Sequence, residues 1–312
     1  MYRVLKLIFS VISLYIMAFN LSIKAENNVK IIYNIGDTMI TNIDIKNQYR
    51  FLLLIDKNFS KLDEKQGLEI AKQESINDKI KTNELKKTFD LDKNYDLIDD
   101  IINQHFKKNN INSNKEIKKH LKDYNLEYEY LQKKFQIDQL WRELIVLKFS
   151  KKINIDEEKI KKRISKRKLT EKKSFLLSEI LFELKDSEIL EQRFEEIKKS
   201  ISEKGFDVSA SLFSISESSK SGGKIGWIDE NQFSEKILKN INILKINDIT
   251  KPIKVSSGFL IIKLEDVKKV KQAKNLKAEL NKIILFEKNR QYNEFSNIFF
   301  EKLKINTFIN ER

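Results

Sequence analysis

Residues 221–238 read SGGKIGWIDENQFSEKIL and hold three of the seven glycines in a chain of 312 residues. Gly205 and Gly258 flank the stretch, and the one proline, Pro252, stands close by. Glycine reaches positive φ and proline fixes φ, geometries that other side chains do not supply. Five glycines and the only proline between positions 205 and 258 therefore mark one compact, turn-rich domain inside an otherwise helical protein.

Working outward, the flanks of that stretch alternate between strand and helix patterns. Upstream, SFLLSEILFEL at 174–184 is β-competent, and EILEQRFEEIKKSISEKG at 188–205 is an amphipathic helix stopped at Gly205. A Ser-rich loop leads into the glycine cluster. FSEKILKNI at 233–241 is a short helix, Pro252 lies in the connection, and GFLIIKLEDVK at 258–268 is a closing strand. The order is β-α-α-β.

Everything else reads as helix, apart from the two ends. IIYNI at 31–35 is a short β-prone run, Gly36-Asp37 a turn, and Thr41 or Asn42 a helix cap. Helical periodicity follows over 43–55, 67–87, 96–108 and 112–126, with Ser113 or Asn114 as a cap and Asn125 near a break. The longest helix, over 127–149, carries Leu131, Phe135, Ile137, Leu140, Trp141, Leu144 and Leu147 on a broad apolar face. Asp156 caps a short helix, a final helix spans 272–304, and INTFI at 305–309 is β-prone.

The N-terminus predicts export. Arg3 and Lys6 precede the apolar run LIFSVISLYIMAFNL, and Ala25 is a plausible cleavage point, so 1–25 reads as a signal peptide and the mature chain as periplasmic. The chain has no cysteine, which excludes disulfides and thiolate metal sites. Its +14 net charge raises nucleic-acid or lipid binding. Interleaving of Lys with Glu and Asp, as in EEKIKKRISKRK, reads instead as solvated helix faces, and nucleic acid is not an expected partner.

Three blocks carry a family resemblance: Gly222-Gly223-Lys224-Ile225-Gly226-Trp227, then Ile249-Thr250-Lys251-Pro252-Ile253, then residues 257–264, SGFLIIKL. In order and spacing, together with Leu177-Ser178-Glu179-Ile180-Leu181, they resemble the parvulin prolyl-isomerase domain. IIYNIGDTMITNIDI at 31–45 and the C-terminal ILFEKNRQYNEFSNIFFEKLKINTFI resemble the flanks of SurA-like periplasmic chaperones, which escort unfolded outer-membrane proteins. The resemblance implies an α+β protein: a helical body over 26–172, an inserted parvulin-like domain over 173–268, and a C-terminal helix and strand over 269–312 that pack back on the body.

Prolyl isomerisation lowers an amide rotation barrier of about 18–20 kcal/mol without breaking a bond. The task needs an apolar pocket for the proline ring and polar groups that favour the twisted amide. Parvulins supply two histidines and a Cys or Asp. Carried over by position, those fall here at Glu179, Leu260 and Ser216. The only histidines, His105 and His120, lie outside the domain. Loss of such partners commonly costs orders of magnitude in rate, so weak or absent isomerase activity is expected. Glu179 is expected as a solvent-facing strand residue, and Trp227 as packing at the domain edge. The family's apolar pocket positions fall at Ile225, Phe233 and Ile237, which are peptide contacts or ordinary core.

No other constellation stands out. GGKIG lacks the phosphate-loop spacing, the two histidines lack metal spacing, and serines 214–221 have no nearby histidine for a hydrolase triad. No cofactor or metal is expected. The leading expectation is an ATP-independent holdase for unfolded outer-membrane or exported polypeptides. The alternatives are an active peptidyl-prolyl isomerase relying on Glu179 and Ser216, and an envelope scaffold that keeps its apolar run as an anchor.

Overall fold

The computed structural model describes residues 29–56, 59–93, 95, 97–107, 110–165, 171–185, 187–271 and 276–312. The expected leader over 1–25 lies outside them. Strands β1 (Ile31–Ile35) and β2 (Thr38–Thr41) form an antiparallel hairpin around Gly36. Thr41 then caps helix α1 (Asn42–Ile55): its Oγ accepts from the Asp44 amide, and the Asp44 carboxylate accepts from the Thr41 amide at 2.8 Å. This reciprocal box pairs amides that a helix start leaves orphaned, a contribution of about 1 kcal/mol.

Helices α2 (Glu64–Leu85), α3 (Leu97–Lys107), α4 (Asn114–Asp123), α5 (Tyr128–Phe149) and α6 (Glu157–Ser165) complete the N-terminal body. Ser113 caps α4, and Asp156 Oδ1 accepts from the Lys159 amide at 2.8 Å to cap α6. Phe51 and Leu54 of α1 pack with Ile102, Phe106, Leu121 and Leu131 from α3, α4 and α5. Further along α5, Leu140, Trp141 and Leu144 are buried, whereas Leu147, expected on the same face, is 63% exposed. The helix turns it away from the contact stripe.

The glycine-rich part is a four-stranded antiparallel sheet of order β4-β3-β6-β5. It runs β3 (Glu171–Phe182), α7 (Leu190–Lys204), α8 (Phe206–Phe213), β4 (Lys224–Asp229), α9 (Glu235–Asn242), β5 (Ile253–Val255) and β6 (Gly258–Lys271). The expected β-α-α-β order thus gains α8 and two strands. The segment read as a loop after Gly205 begins with α8 because Phe206, Val208 and Ala210 find burial there. Ile180 and Phe182 of β3 pack against Phe194, Ile197 and Phe206 on one face. Phe175 and Leu177 meet Phe233, Ile241 and Ile253 on the other.

Helix α10 (Leu276–Ile305) is about 45 Å long by its 30 residues. Lys282 Nζ pairs with Asp229 at 2.8 Å beside β4, and Phe286 packs on the Phe175 cluster. Further along, Phe299 and Phe300 reach Trp141 of α5, and Trp141 Nε1 donates to Ser296 Oγ at 2.9 Å. The C-terminal strand β7 (Ile309–Glu311) joins β1, giving a second sheet of order β2-β1-β7. Ile31–Arg312 form one compact unit.

Candidate functional site

Odd and even positions of β3 point to opposite faces of the sheet. Glu179 is a polar residue on a face where Leu177 and Leu181 are buried, and its neighbour across the ladder is Ile262. One step along, Leu181 opposes Leu260. Glu179 is only half-buried as a residue, yet its carboxylate is engaged rather than solvated: Ser216 Oγ donates to Glu179 Oε1 at 2.7 Å and Ser218 Oγ donates to the same oxygen at 3.0 Å. The expectation of a solvent-facing Glu179 is overturned, because the turn after α8 folds over this part of the strand. Burial pushes the Glu179 carboxyl above the ordinary carboxylate range, and the two serine hydroxyls pull against that shift.

Backbone contacts hold this arrangement. The Ile215 amide donates to the Leu181 carbonyl at 2.7 Å, and the Glu179 amide to the Gly223 carbonyl at 2.7 Å. Gly223 answers the question its cluster raises. Its φ is +77°, and a Cβ there would stand 2.3 Å from the Glu179 carbonyl oxygen and 2.9 Å from Ala210 Cβ. Only glycine lets β4 begin so close to β3.

Glu179, Ser216, Leu260, Ile225, Phe233 and Ile237 all line one cavity of ≈ 560 Å³. That volume falls within the range of ligand pockets. Phe233 is buried, while Ile225, Ile237 and Leu260 are partly buried around the Phe175 cluster. The opposite wall comes from elsewhere in the chain: residues 154–160 and, on α10, Phe286, Arg290, Asn293 and Asn297. Gln291 ties these two wall segments together, accepting from the Asn154 amide at 3.0 Å and donating to its carbonyl at 2.7 Å.

His105 and His120 sit far along the sequence on α3 and α4, ringed by Phe106, Phe135 and Tyr124. Neither lines the cavity. Trp227 is 40% exposed at the sheet, with Lys268 Nζ 3.8 Å from its ring centre. Among the described residues no cluster of His, Cys, Asp and Glu could hold a metal ion, and no helix is long and apolar enough to cross a membrane. Sequence reasoning missed Ser218 and the α10 wall. A serine two places beyond Ser216 was a usable signal for the first, but nothing local ties residues 286–297 to a strand at 179.

Residues 175–266 match the family model described as Rotamase, PPIC-type PPIASE domain. They form a parvulin-type domain. The parvulin match covers the four-stranded sheet except the first four residues of β3 and the last five of β6, and every candidate pocket residue named from the sequence lies within it. Over 53 residues the chain is 36% identical to the chaperone SurA of Pseudomonas putida, a stretch that makes up 17% of this chain and 12% of that SurA. A structure of the SurA-like chaperones PEB4 and Cj1289 of Campylobacter jejuni covers 90% of this chain and 98% of its own, at 16% identity and a TM-score of 0.36. The peptidylprolyl isomerase PrsA of Bacillus anthracis covers 76% and 98%, at 19% identity and a TM-score of 0.31.

Proposed function

We propose that this chain is a periplasmic, ATP-independent chaperone that holds unfolded exported polypeptides, outer-membrane proteins among them. In this reading residues 26–172 and 269–312 are the holding body, and the parvulin domain over 173–268 is a socket for client side chains with little isomerase activity. One observation carries it: the pocket keeps an apolar lining, while the positions that the parvulin resemblance assigns to two imidazoles and a Cys or Asp hold Glu179, Leu260 and Ser216. An apolar socket of this kind gains affinity from desolvated side chains and needs no defined sequence. The contacts belong to Ile225, Phe233 and Ile237. Client capture is read by light scattering from an unfolded β-barrel protein diluted out of urea. The chain suppresses the scattering, Ile237→Arg suppresses it less, and prolyl-peptide isomerisation stays at background. Equal suppression by the variant, with undisturbed folding, sinks the socket.

A second reading rests on the Ser216–Glu179 bond at the pocket edge. Burial favours the protonated form of the Glu179 carboxyl, which can donate a hydrogen bond, and a twisted prolyl amide accepts one at its nitrogen. Isomerisation above background that disappears in Glu179→Gln together with Ser216→Ala favours this enzyme over the socket.

A further inference from the structure

The turn that carries Ser216 has two ends with different neighbours. Ser216 caps the short 3-10 helix Glu217–Ser221, and Ser216 and Ser218 both donate to Glu179. Four residues on from Ser216, Lys220 leaves the parvulin domain and reaches the helical body. Its Nζ lies 3.5 Å from Asp138 Oδ1 on α5 and 3.9 Å from Glu74 Oε2 on α2. Between these ends, Glu217 Oε1 lies 3.7 Å from Nζ of Lys81, a buried lysine set over the rings of Trp141 and Phe300. Burial disfavours the Lys220 cation, but the carboxylates of Asp138, Glu74 and Glu217 outweigh it and raise its pKa. Burial likewise pushes Asp138 up, and Lys220 and Lys81 together hold it below the usual carboxylate range.

The charges alternate across the contact. The turn presents Glu217 and then Lys220, and the body presents Lys81 to the first and Glu74 with Asp138 to the second. A shift of the turn along the body would bring like charges together, so this pattern fixes register more than it adds net stability. Ser216 also lines both the ≈ 560 Å³ pocket and a second cavity of ≈ 710 Å³ bounded by Lys220, Lys81, Trp141 and Phe300. The turn is therefore the wall between the pocket and the helical body.

We propose that Lys220 is a positioning residue for the pocket: by anchoring the 216–221 turn between Glu74 and Asp138, it sets where Ser216 and Ser218 hold Glu179. The geometry of the parvulin pocket is then dictated by the helical body, and a change at α2 or α5 is felt at Glu179. The proposal rests on the pocket reading only for its binding consequence, since the anchoring has its own readout.

The test uses the full chain, with Lys220→Met, the conservative Lys220→Arg, and Glu74→Gln/Asp138→Asn, which alters only the body. Amide hydrogen exchange is followed at Glu179 and Ile215, whose donors tie β3 to the two ends of the turn, and at Gly223, whose amide donates to the Ser218 carbonyl within it. Lys220→Met speeds exchange at these three amides at least tenfold and leaves α7 and the β1–β2 hairpin unchanged. Lys220→Arg restores protection. The body variant reproduces the same local effect, although it substitutes no residue of the parvulin domain. Exchange that rises everywhere, or a body variant that leaves Glu179 protected, overturns the proposal. Binding of an Ala-Ala-Pro-Phe peptide is measured alongside and falls about tenfold in Lys220→Met. A wild-type chain that binds no such peptide counts against the pocket reading, while the exchange result still decides the anchor.

Discussion

Ser216 donates to Glu179 across 2.7 Å, joining two residues 37 positions apart in the chain. In the proposed reading they stand at two of the parvulin polar positions, and Leu260, assigned to the third, lines the same cavity. In that reading the polar set has changed its chemistry and kept its place. A carboxyl that two hydroxyls serve inside an apolar pocket is a titrating group with consequences for stability and binding.

The raised Glu179 pKa fixes the sign of one effect. At low pH the carboxyl is neutral in both folded and unfolded chains. As pH rises through the ordinary carboxyl range the unfolded chain ionises first, so stability falls until Glu179 itself ionises. Glu179→Gln mimics the neutral form. Its melting temperature matches the wild type near pH 4 and exceeds it by a few degrees near pH 7.5. A variant that is less stable by the same amount at both pH values contradicts a burial-raised carboxyl.

The serines act on the same group in the opposite direction. Their hydroxyls donate to Glu179 and so favour its charged form. Ser216→Ala/Ser218→Ala therefore raises the Glu179 midpoint further, as followed by ¹³C NMR of the labelled carboxyl. A midpoint that falls in the double variant shows that solvent entry outweighs the lost donors.

Two neighbouring glycines separate conformational cost from crowding. Gly226 has φ +82°, and a Cβ added there would meet nothing within 4 Å, so Gly226→Ala costs about 1–2 kcal/mol for the left-handed backbone alone. Gly223→Ala adds a clash with the Glu179 carbonyl and Ala210, and it costs more than Gly226→Ala in urea unfolding. Equal losses would mean that β4 withdraws from β3 freely.

Local chemistry explains how much of this fold can be read from sequence. Thr41, Ser113, Asp156 and Gly205 mark helix ends because caps are decided by neighbouring residues. Helix α8 escaped because FDVSASLF is helical only against α7, where Ser200 and Ser209 share a hydrogen bond at 2.8 Å. Strand β4 escaped because Gly226 weakens its intrinsic preference, and only pairing with β3 makes it a strand. At the site, the apolar lining and the positions of Glu179 and Ser216 were legible. The environment of Glu179 was not, since a strand pattern assigns faces without saying what covers them. Here the cover comes from the 216–221 turn and from α10, more than one hundred residues away along the chain.

The seam between Trp141 and α10 decides whether that distant wall stays in place. Trp141 is 1% exposed, stacks on Phe299 with ring centres 5.7 Å apart, and donates from its indole to Ser296 Oγ. Trp141→Ala costs about 3–5 kcal/mol through lost burial and a cavity. Ser296→Ala leaves the indole N–H unpaired in a buried site, a loss of about 1–3 kcal/mol. In a Trp141→Phe background that donor is already gone, so Ser296→Ala then costs far less. The difference between the two backgrounds, measured by urea unfolding, is the coupling energy across the seam. Equal costs in both would show that Ser296 acts on helix α10 alone, and the bond to Trp141 would no longer explain how the C-terminal helix is held against α5.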